Sequence, residues 1–256
     1  MDIIMEKKYG FVEYHEKAEL MRHNLDQVSP SMCLAKWLMV SLNLSNGTTQ
    51  SCYHNPFHTV PLSELADNPS ALHNTNVKKQ ERKQMLVDGI RPEGCEYCWK
   101  IEDAGDGRHL SDRHYKSSEW WAEPFFNEIV SQDFDFDVSP RYLEVNFNRS
   151  CNFKCMYCSP HISTAWEEEI IKYGPYLFDQ MSHNDIRSLA EKGYMPMQMA
   201  SKNNPYVQSF WTWWPTIYRK LRVFRMTGGE PLMDKNTFKV LDLSLIHISE
   251  PTRPER

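Results

Sequence analysis

The chain has 256 residues, of which 29 are basic and 34 are acidic, so its formal charge is -5. Hydrophobic residues make up 41% of it, which is typical of a globular protein. No apolar run approaches the ~20 residues that span a bilayer, and residues 1–8 (MDIIMEKK) lack the apolar core of a secretion signal. We therefore expect a cytoplasmic protein. Since there is no block of basic residues, we expect no binding to nucleic acid or to membranes.

Seven cysteines divide into two groups, which are Cys33, Cys52, Cys95 and Cys98, followed by Cys151, Cys155 and Cys158. Cytoplasmic thiols stay reduced, so clustered cysteines favour metal binding over disulfide bonds. A chain of this length has room for two ordinary domains. We predict one domain around each cysteine group, with a boundary near residue 135.

The first predicted elements surround the first cysteine group. Residues 13–27 read as a polar amphipathic helix, and residues 36–44 and 48–53 as two strands of a hairpin that turns at Asn46-Gly47. A helix over residues 77–87, capped by Asn76 and ended by Gly89, then leads to the turn that presents Cys95 and Cys98. The polar stretch 105–137 is predicted to connect the two domains.

A strand over residues 142–148 leads into the second cysteine group. Its alternation places Leu143, Val145 and Phe147 on one face and Glu144, Asn146 and Asn148 on the other. The polar face either meets solvent or lines a site. The elements predicted after it are a helix with a Thr164–Glu167 capping box, a short helix over 185–192, a helix beginning at Pro215, a strand over 222–226, a TGGEP turn over 227–231 and a helix over 236–243.

The order of strand, cysteine loop, helix, strand, glycine turn and helix is that of parallel βαβ units. Cys151, Cys155 and Cys158 place three thiolates within eight residues. Three ligands leave one coordination position open for chemistry, either on zinc or on the fourth iron of a cubane cluster. A closed zinc site that includes His161 is the alternative. We interpret Trp211, Trp213 and Trp214 as residues that pack a helix.

The C-x3-C-x2-C loop after a first strand and the Gly-Gly-Glu-Pro turn after a second one resemble the radical S-adenosylmethionine (radical SAM) superfamily. The resemblance implies an α/β fold with a partial (β/α)6 TIM-like barrel over residues 136–243. It also implies that Cys151, Cys155 and Cys158 bind a [4Fe-4S] cluster, whose fourth iron holds the methionine end of SAM. Reductive cleavage of SAM would then yield a 5'-deoxyadenosyl radical that abstracts hydrogen from a substrate.

The same resemblance assigns roles to other residues of the two motifs. Tyr157 would pack near the adenine of SAM, although it could equally be a core residue. Gly228 and Gly229 would let the backbone approach SAM, and Glu230 would accept a hydrogen bond from the ammonium group of SAM. The electron would come from a small donor protein of the flavodoxin or ferredoxin type.

The first cysteine group resembles the twitch module, a reduced relative of the SPASM domain, here in residues 1–135 as a small α+β hairpin-and-helix domain. In most radical SAM enzymes this module follows the barrel, whereas here it precedes the barrel. The resemblance implies an auxiliary [4Fe-4S] cluster on the first four cysteines and a peptide or protein substrate. Structural zinc and unligated thiols are the alternatives for these cysteines. His54, His58 and His73 are spare donors nearby, which we expect to be surface or core histidines rather than ligands. The rival class of protein is a zinc-stabilised binding module without catalysis.

The barrel is expected to be incomplete in this chain. An eight-unit barrel takes ~250 residues, so six units should need ~190, whereas residues 142–256 number 115. Residues 244–256 read as a non-native or disordered tail. We therefore expect the chain as given to aggregate or to bind SAM poorly, and a longer reading frame to restore SAM cleavage.

Overall fold

The computed structural model of the chain describes residues 11–104, 109–176, 184–195 and 203–248. The helices are α1 (Phe11–Val28), α2 (Ala35–Leu38), α3 (Leu62–Asp67), α4 (Asn76–Lys83), α5 (Glu96–Ala104), α6 (Asp112–Ser117), α7 (Phe126–Val130), α8 (Thr164–Tyr173), α9 (Ile186–Glu191), α10 (Pro205–Ile217) and α11 (Lys235–Ile248). The strands are β1 (Met39–Asn43), β2 (Thr48–Gln50), β3 (His58–Thr59), β4 (Tyr142–Asn146) and β5 (Val223–Thr227). These elements confirm the predicted α/β class.

The strands form one open, mixed sheet in the order β3-β2-β1-β4-β5. β1 and β2 are the predicted hairpin, with Asn46 and Gly47 in its turn. Beside β1 and β4, Arg141 N donates to Leu38 O and Leu44 N donates to Asn146 O, both at 2.8 Å. From the first bond to the second, the residue numbers increase in both strands, so β1 and β4 are parallel.

β4 and β5 are also parallel. Val223 N donates to Arg141 O at 3.0 Å where the two strands begin, and Glu230 N donates to Ser150 O at 2.8 Å after they end. Parallel strands end at the same edge of a sheet. The cysteine loop after β4 and the glycine turn after β5 therefore meet, although about 80 residues separate them in the sequence.

Residue contacts group the chain into two compact units. The first consists of Met1–Ser41, Thr49–Leu143 and Ser209–Phe224, and the second of Leu42–Thr48, Glu144–Gln208 and Arg225–Arg256. Each unit contains segments from both sides of the boundary predicted near residue 135. The division into an auxiliary-cluster domain and a barrel domain stays a prediction.

The first unit has a core of fully buried side chains that includes Trp37, Leu38 and Met39. Trp121 and Ile129, from the stretch predicted as an interdomain connection, are buried in the same core. That prediction is wrong for residues 109–137, because α6 and α7 pack as helices within the unit. Residues 105–108 lie outside the described residues.

Strand β4 follows the predicted alternation. Leu143, Val145 and Phe147 are buried, at 0%, 0% and 5% exposure. On the other face Asn146 is also buried, at 7% exposure, so the solvent-facing interpretation of this face is wrong for Asn146. The polar face is enclosed by the protein at this point.

Several predicted element ends are corrected by local hydrogen bonds. Residues 36–38, predicted as strand, are helical, because Lys36 N and Leu38 N bond back to Cys33 O and Leu34 O. Helix α10 begins at Pro205, ten residues before the predicted start at Pro215. The side chain of Asn204 caps it by accepting from Tyr206 N at 2.9 Å.

Two helix caps lie one residue before the predicted ones. Thr75, not Asn76, caps α4 by accepting from Lys78 N. Ser163, not Thr164, caps α8 by accepting from Trp166 N. Thr164 is thereby free to bond the cysteine loop. No helix in the described part of the chain is long and apolar enough to cross a membrane.

Candidate metal centres

The second cysteine loop leaves the carboxyl end of β4 and is held by the first turn of α8. Thr164 Oγ1 accepts from Cys151 N and donates to Cys151 O, both at 3.1 Å. Trp166 Nε1 donates to Cys155 O at 3.0 Å, and Cys158 N donates to Cys155 O at 2.9 Å. These bonds fix the backbone at all three cysteines through main-chain groups.

The three thiols of this loop differ in exposure. Cys151 and Cys158 are partly buried, whereas Cys155 is exposed. Burial raises the pKa of Cys158, and charge on Cys151 and Cys155 acts in the same direction. The three cysteines share one eight-residue loop, so their charges would repel one another if all three thiols were ionised. A cation bound among them would remove the repulsion.

The glycine turn packs directly on the start of the cysteine loop. A Cβ atom built on Gly229 would lie 2.3 Å from Ser150 O and 2.7 Å from the carbonyl of Arg149. Gly228 has φ +117°, and a Cβ atom there would lie 2.3 Å from Asn146 Oδ1. Only glycine fits at these two positions. The turn and the loop thus form one continuous surface.

The polar groups at this edge have different partners. Glu230 Oε1 accepts from Leu232 N at 3.0 Å. Asn148 Nδ2 donates to Asp234 Oδ2, and Arg225 Nη1 lies 3.3 Å from Glu144 Oε2. Asn146 Oδ1 is buried with no hydrogen-bond partner among the described residues. A buried acceptor without a partner is costly and is a feature of functional sites.

The aromatic and apolar side chains of the loop point outward. Tyr157 is 85% exposed and Met156 is 96% exposed. The alternative that Tyr157 belongs to the core is therefore wrong, and its predicted contact with adenine stays a prediction. His161 Nδ1 is bonded to Ser159 Oγ at 2.8 Å, and its ring lies 5.6 Å from that of Tyr194.

The first cysteine group comes together in the first unit. Cys33, Cys52, Cys95 and Cys98 line one cavity. Cys33 precedes α2, Cys52 follows β2, and the other two lie at the start of α5. Two are buried and two are partly buried. The backbone turn between Cys33 and α2 brings Cys33 toward Cys52, which the hairpin register alone does not do.

Burial makes these thiols poor acids. It raises the pKa of Cys33 and of Cys98 to about 12, and also raises the pKa of Cys95. The charges of the other cysteines add to the effect on Cys33. Burial therefore favours the protonated form of Cys33, Cys95 and Cys98 near neutral pH. Metal binding would therefore displace their protons.

Sequence reasoning missed the polar side chains around this cavity. Asn55 Oδ1 accepts from the Cys52 thiol at 3.2 Å and from the Cys95 thiol at 3.5 Å. Lys36 lines the same cavity, where its positive charge opposes the burial that raises the pKa of Cys95. Lys36 and Asn55 each follow a cysteine by three residues, which is the only signal in the sequence that could have found them.

The spare histidines have partners other than thiols. His54 Nε2 lies 2.7 Å from Asp112 Oδ2, and its ring stacks on Tyr97. His58 Nε2 bonds Thr75 Oγ1, and burial lowers the pKa of His58 to about 4. His73 is fully buried against Trp37 O. These contacts agree with the expectation that the three are surface or core histidines.

Within the described ranges, no three Cys, His, Asp or Glu side chains are arranged as ligands around a common point. The donor chemistry nevertheless suits a soft metal, because four thiols share one cavity and three more share one loop. None of the seven cysteines forms a disulfide. Comparison with protein-family models, curated proteins and solved structures found no match to this chain.

Proposed function

We propose that this chain is a radical SAM enzyme with a second, auxiliary metal centre. The observation that carries the proposal is the hydrogen bond from Glu230 N to Ser150 O at 2.8 Å. It joins the Gly-Gly-Glu-Pro turn to the residue before Cys151. Two motifs that were selected from the sequence separately therefore belong to one surface.

In this proposal Cys151, Cys155 and Cys158 would hold a [4Fe-4S] cluster, and residues of the glycine turn would bind SAM. When bound, the cluster supplies the electron for reductive cleavage of SAM to a 5'-deoxyadenosyl radical. The chain's own residues position the reactants. Thr164 and Trp166 fix the loop backbone, and Gly228 and Gly229 let the glycine turn pack against that loop.

The polar groups beyond the turn would bind the amino acid portion of SAM. The Glu230 carboxylate accepts from Leu232 N through Oε1, and its second oxygen can accept from an ammonium group. The buried Asn146 Oδ1 is a second acceptor beside Gly228. Exposed Tyr157 would cover the adenine.

The auxiliary centre uses Cys33, Cys52, Cys95 and Cys98, either as a [4Fe-4S] cluster or as structural zinc. We infer a peptide or protein substrate, because an auxiliary centre in this superfamily commonly serves such substrates.

The proposed electron donor is a small protein of the flavodoxin or ferredoxin type. The proposed barrel is a partial (β/α)6 barrel that begins at β4. The proposed compartment is the cytoplasm, where clustered thiols stay reduced and can bind metal.

A zinc-stabilised binding module without catalysis is the second candidate. The observation that favours it is the buried four-cysteine cavity, because four thiolates close a zinc site without any need for the second group.

Metal analysis of the full chain after anaerobic purification separates the two functions. The radical SAM proposal predicts at least about four irons per chain that are lost when Cys151, Cys155 and Cys158 are replaced by alanine. One zinc per chain, no iron, and no effect of those replacements would establish the binding module instead.

A further inference from the structure

The wall of the four-cysteine cavity carries a buried hydroxyl group without a partner. Ser51 is 2% exposed and lines this cavity. Its Oγ forms no hydrogen bond in the part of the chain that the structure describes. A buried hydroxyl without a partner is costly, and a bound ion that it serves is one of the recognised reasons for its presence. None of the other described residues with such a buried atom lines this cavity.

The same segment of the chain carries a buried amide whose donor group is unused. Asn55 is 7% exposed and lines the same cavity. Its Oδ1 accepts from the thiols of Cys52 and Cys95, at 3.2 and 3.5 Å. Its Nδ2 donates to no residue within the described ranges. The carboxamide of Asn55 therefore faces two of the four sulfur atoms, while its NH₂ group stays available.

The other buried side chains of the cavity wall that carry N–H donors already have partners. Lys36 Nζ lies 2.8 Å from Glu81 Oε2. Arg113 Nη2 lies 3.0 Å from Glu102 Oε2. The indole N–H of Trp99 donates to a backbone carbonyl at 2.9 Å. The serine hydroxyl and the asparagine NH₂ group are therefore the buried donors of this wall that have no acceptor among the described residues.

A metal changes what the wall must offer to the sulfur atoms. A thiol can donate, whereas a metal-bound thiolate only accepts, and a hydrogen bond to a charged acceptor is the stronger one. Half a turn of the Asn55 carboxamide exchanges Oδ1 and Nδ2 without changing the shape of the side chain. We propose that Ser51 and Asn55 are positioning residues of the four-cysteine centre, whose hydroxyl and amide groups donate hydrogen bonds to the metal-bound sulfur atoms.

The inference rests on the auxiliary centre in the proposed function, and it holds for zinc and for a [4Fe-4S] cluster alike. Groups that hydrogen-bond the ligands of a metal orient those ligands, and their loss typically weakens metal affinity about 10- to 100-fold. The two residues differ in what they contribute without metal. The Ser51 hydroxyl has no bond to lose, whereas Asn55 already bonds two thiols. A measurement of stability without metal therefore separates a role at the metal from a role in the fold.

The test uses the full chain with the three cysteines of the second group replaced by serine, so that only the first group can bind metal. Co²⁺ is the probe, because sulfur-to-cobalt charge transfer reports both the affinity and the surroundings of the sulfur atoms. Affinity is measured by competition with a chelator for this parent, for Ser51→Ala and for Asn55→Leu. Ser41→Ala is the matched control. Ser41 Oγ, on β1, is likewise buried without a partner among the described residues, but Ser41 does not line the cavity.

We expect Ser51→Ala and Asn55→Leu each to bind Co²⁺ about tenfold more weakly than the parent, while Ser41→Ala stays within about threefold. The charge-transfer band should also move to longer wavelength in the first two variants, because a hydrogen bond lowers the energy of the sulfur electrons that are transferred. Without metal, the thermal midpoint of Ser51→Ala should equal or exceed that of the parent, since a buried hydroxyl without a partner is removed. A serine with only a structural role would lower that midpoint and leave the band in place.

Parent-like Co²⁺ affinity or an unmoved band in either Ser51→Ala or Asn55→Leu overturns the inference and leaves the auxiliary centre in place. An equal loss of affinity in Ser41→Ala also overturns it, since removal of any buried hydroxyl would then explain the result. A parent that gives no thiolate absorption with Co²⁺ overturns the auxiliary centre itself, and the inference with it.

Discussion

The contact between the glycine turn and the cysteine loop can be broken by a single methyl group. Gly229→Ala would place Cβ 2.3 Å from Ser150 O and 2.7 Å from Arg149 C and O. These are backbone atoms, so no side-chain rotation relieves the overlap and the turn must move. Overpacking of this kind costs about 1–3 kcal/mol, and the bond from Glu230 N to Ser150 O is worth about 1 kcal/mol.

We therefore expect Gly229→Ala to lower the free energy of local opening by about 2–3 kcal/mol, which corresponds to a 30- to 150-fold faster amide exchange. Hydrogen-exchange mass spectrometry of peptides over residues 149–155 and 228–232 measures this directly. Gly193→Ala is the control. Gly193 has φ +72° but has no atom within 4 Å of a built Cβ, so it adds backbone strain without a clash.

The reasoning fails if exchange in both peptides is unchanged in Gly229→Ala. It also fails if Gly193→Ala accelerates exchange in the same two peptides to the same degree, because a general loss of stability would then explain the result.

Three further predictions concern the metal content, the loop and acid stability. Replacement of Cys95 and Cys98 by alanine should reduce about eight irons per chain to about four, whereas stoichiometric zinc beside four irons would assign zinc to the first group. Thr164→Val removes both bonds to Cys151 and should speed exchange of the Cys151 amide about tenfold, with no change in α9. Burial lowers the pKa of His114 to about 4, against about 6.5 when unfolded, so stability should fall as pH drops from about 6.5 to about 4. His114→Gln should remove up to about 3 kcal/mol of that fall in urea titrations, and an identical pH profile would contradict the assignment.

Strong local patterns were sufficient for much of the fold. The alternation in residues 142–148 predicted β4, and the Asn46-Gly47 pair predicted the hairpin turn. The spacing of the cysteines predicted two separate groups, one in each predicted domain. The adjacency of the glycine turn and the cysteine loop followed from parallel strands. These signals are local or depend on one topological rule.

Other features depended on contacts that the sequence does not display. Residues 36–38 have strand-like composition, yet they form a helix because the backbone after Cys33 closes a turn. A short apolar run is compatible with either state, and tertiary packing decides. The polar stretch after residue 108 carries enough buried anchors, Trp121 and Ile129 among them, to join the core.

The burial of two basic side chains was also beyond sequence reasoning. Lys78 and Arg82 lie in a strongly charged helix segment, NVKKQERK, which predicts a solvated helix. Only the packing of α4 shows that two of its charges are inside. A residue's surroundings, and not its type, decide whether its charge is a surface feature or a part of a site.

The central claim is that Cys151, Cys155 and Cys158 hold a cluster with one iron open to SAM. The most direct test is the electron paramagnetic resonance spectrum of the reduced, fully iron-loaded chain, recorded with and without SAM. To isolate this cluster, Cys95 and Cys98 are replaced by alanine. The account predicts that SAM changes the spectrum and that Glu230→Ala weakens the change, whereas Glu191→Ala on α9 does not. A spectrum that SAM leaves unchanged in a fully loaded sample would contradict the claim.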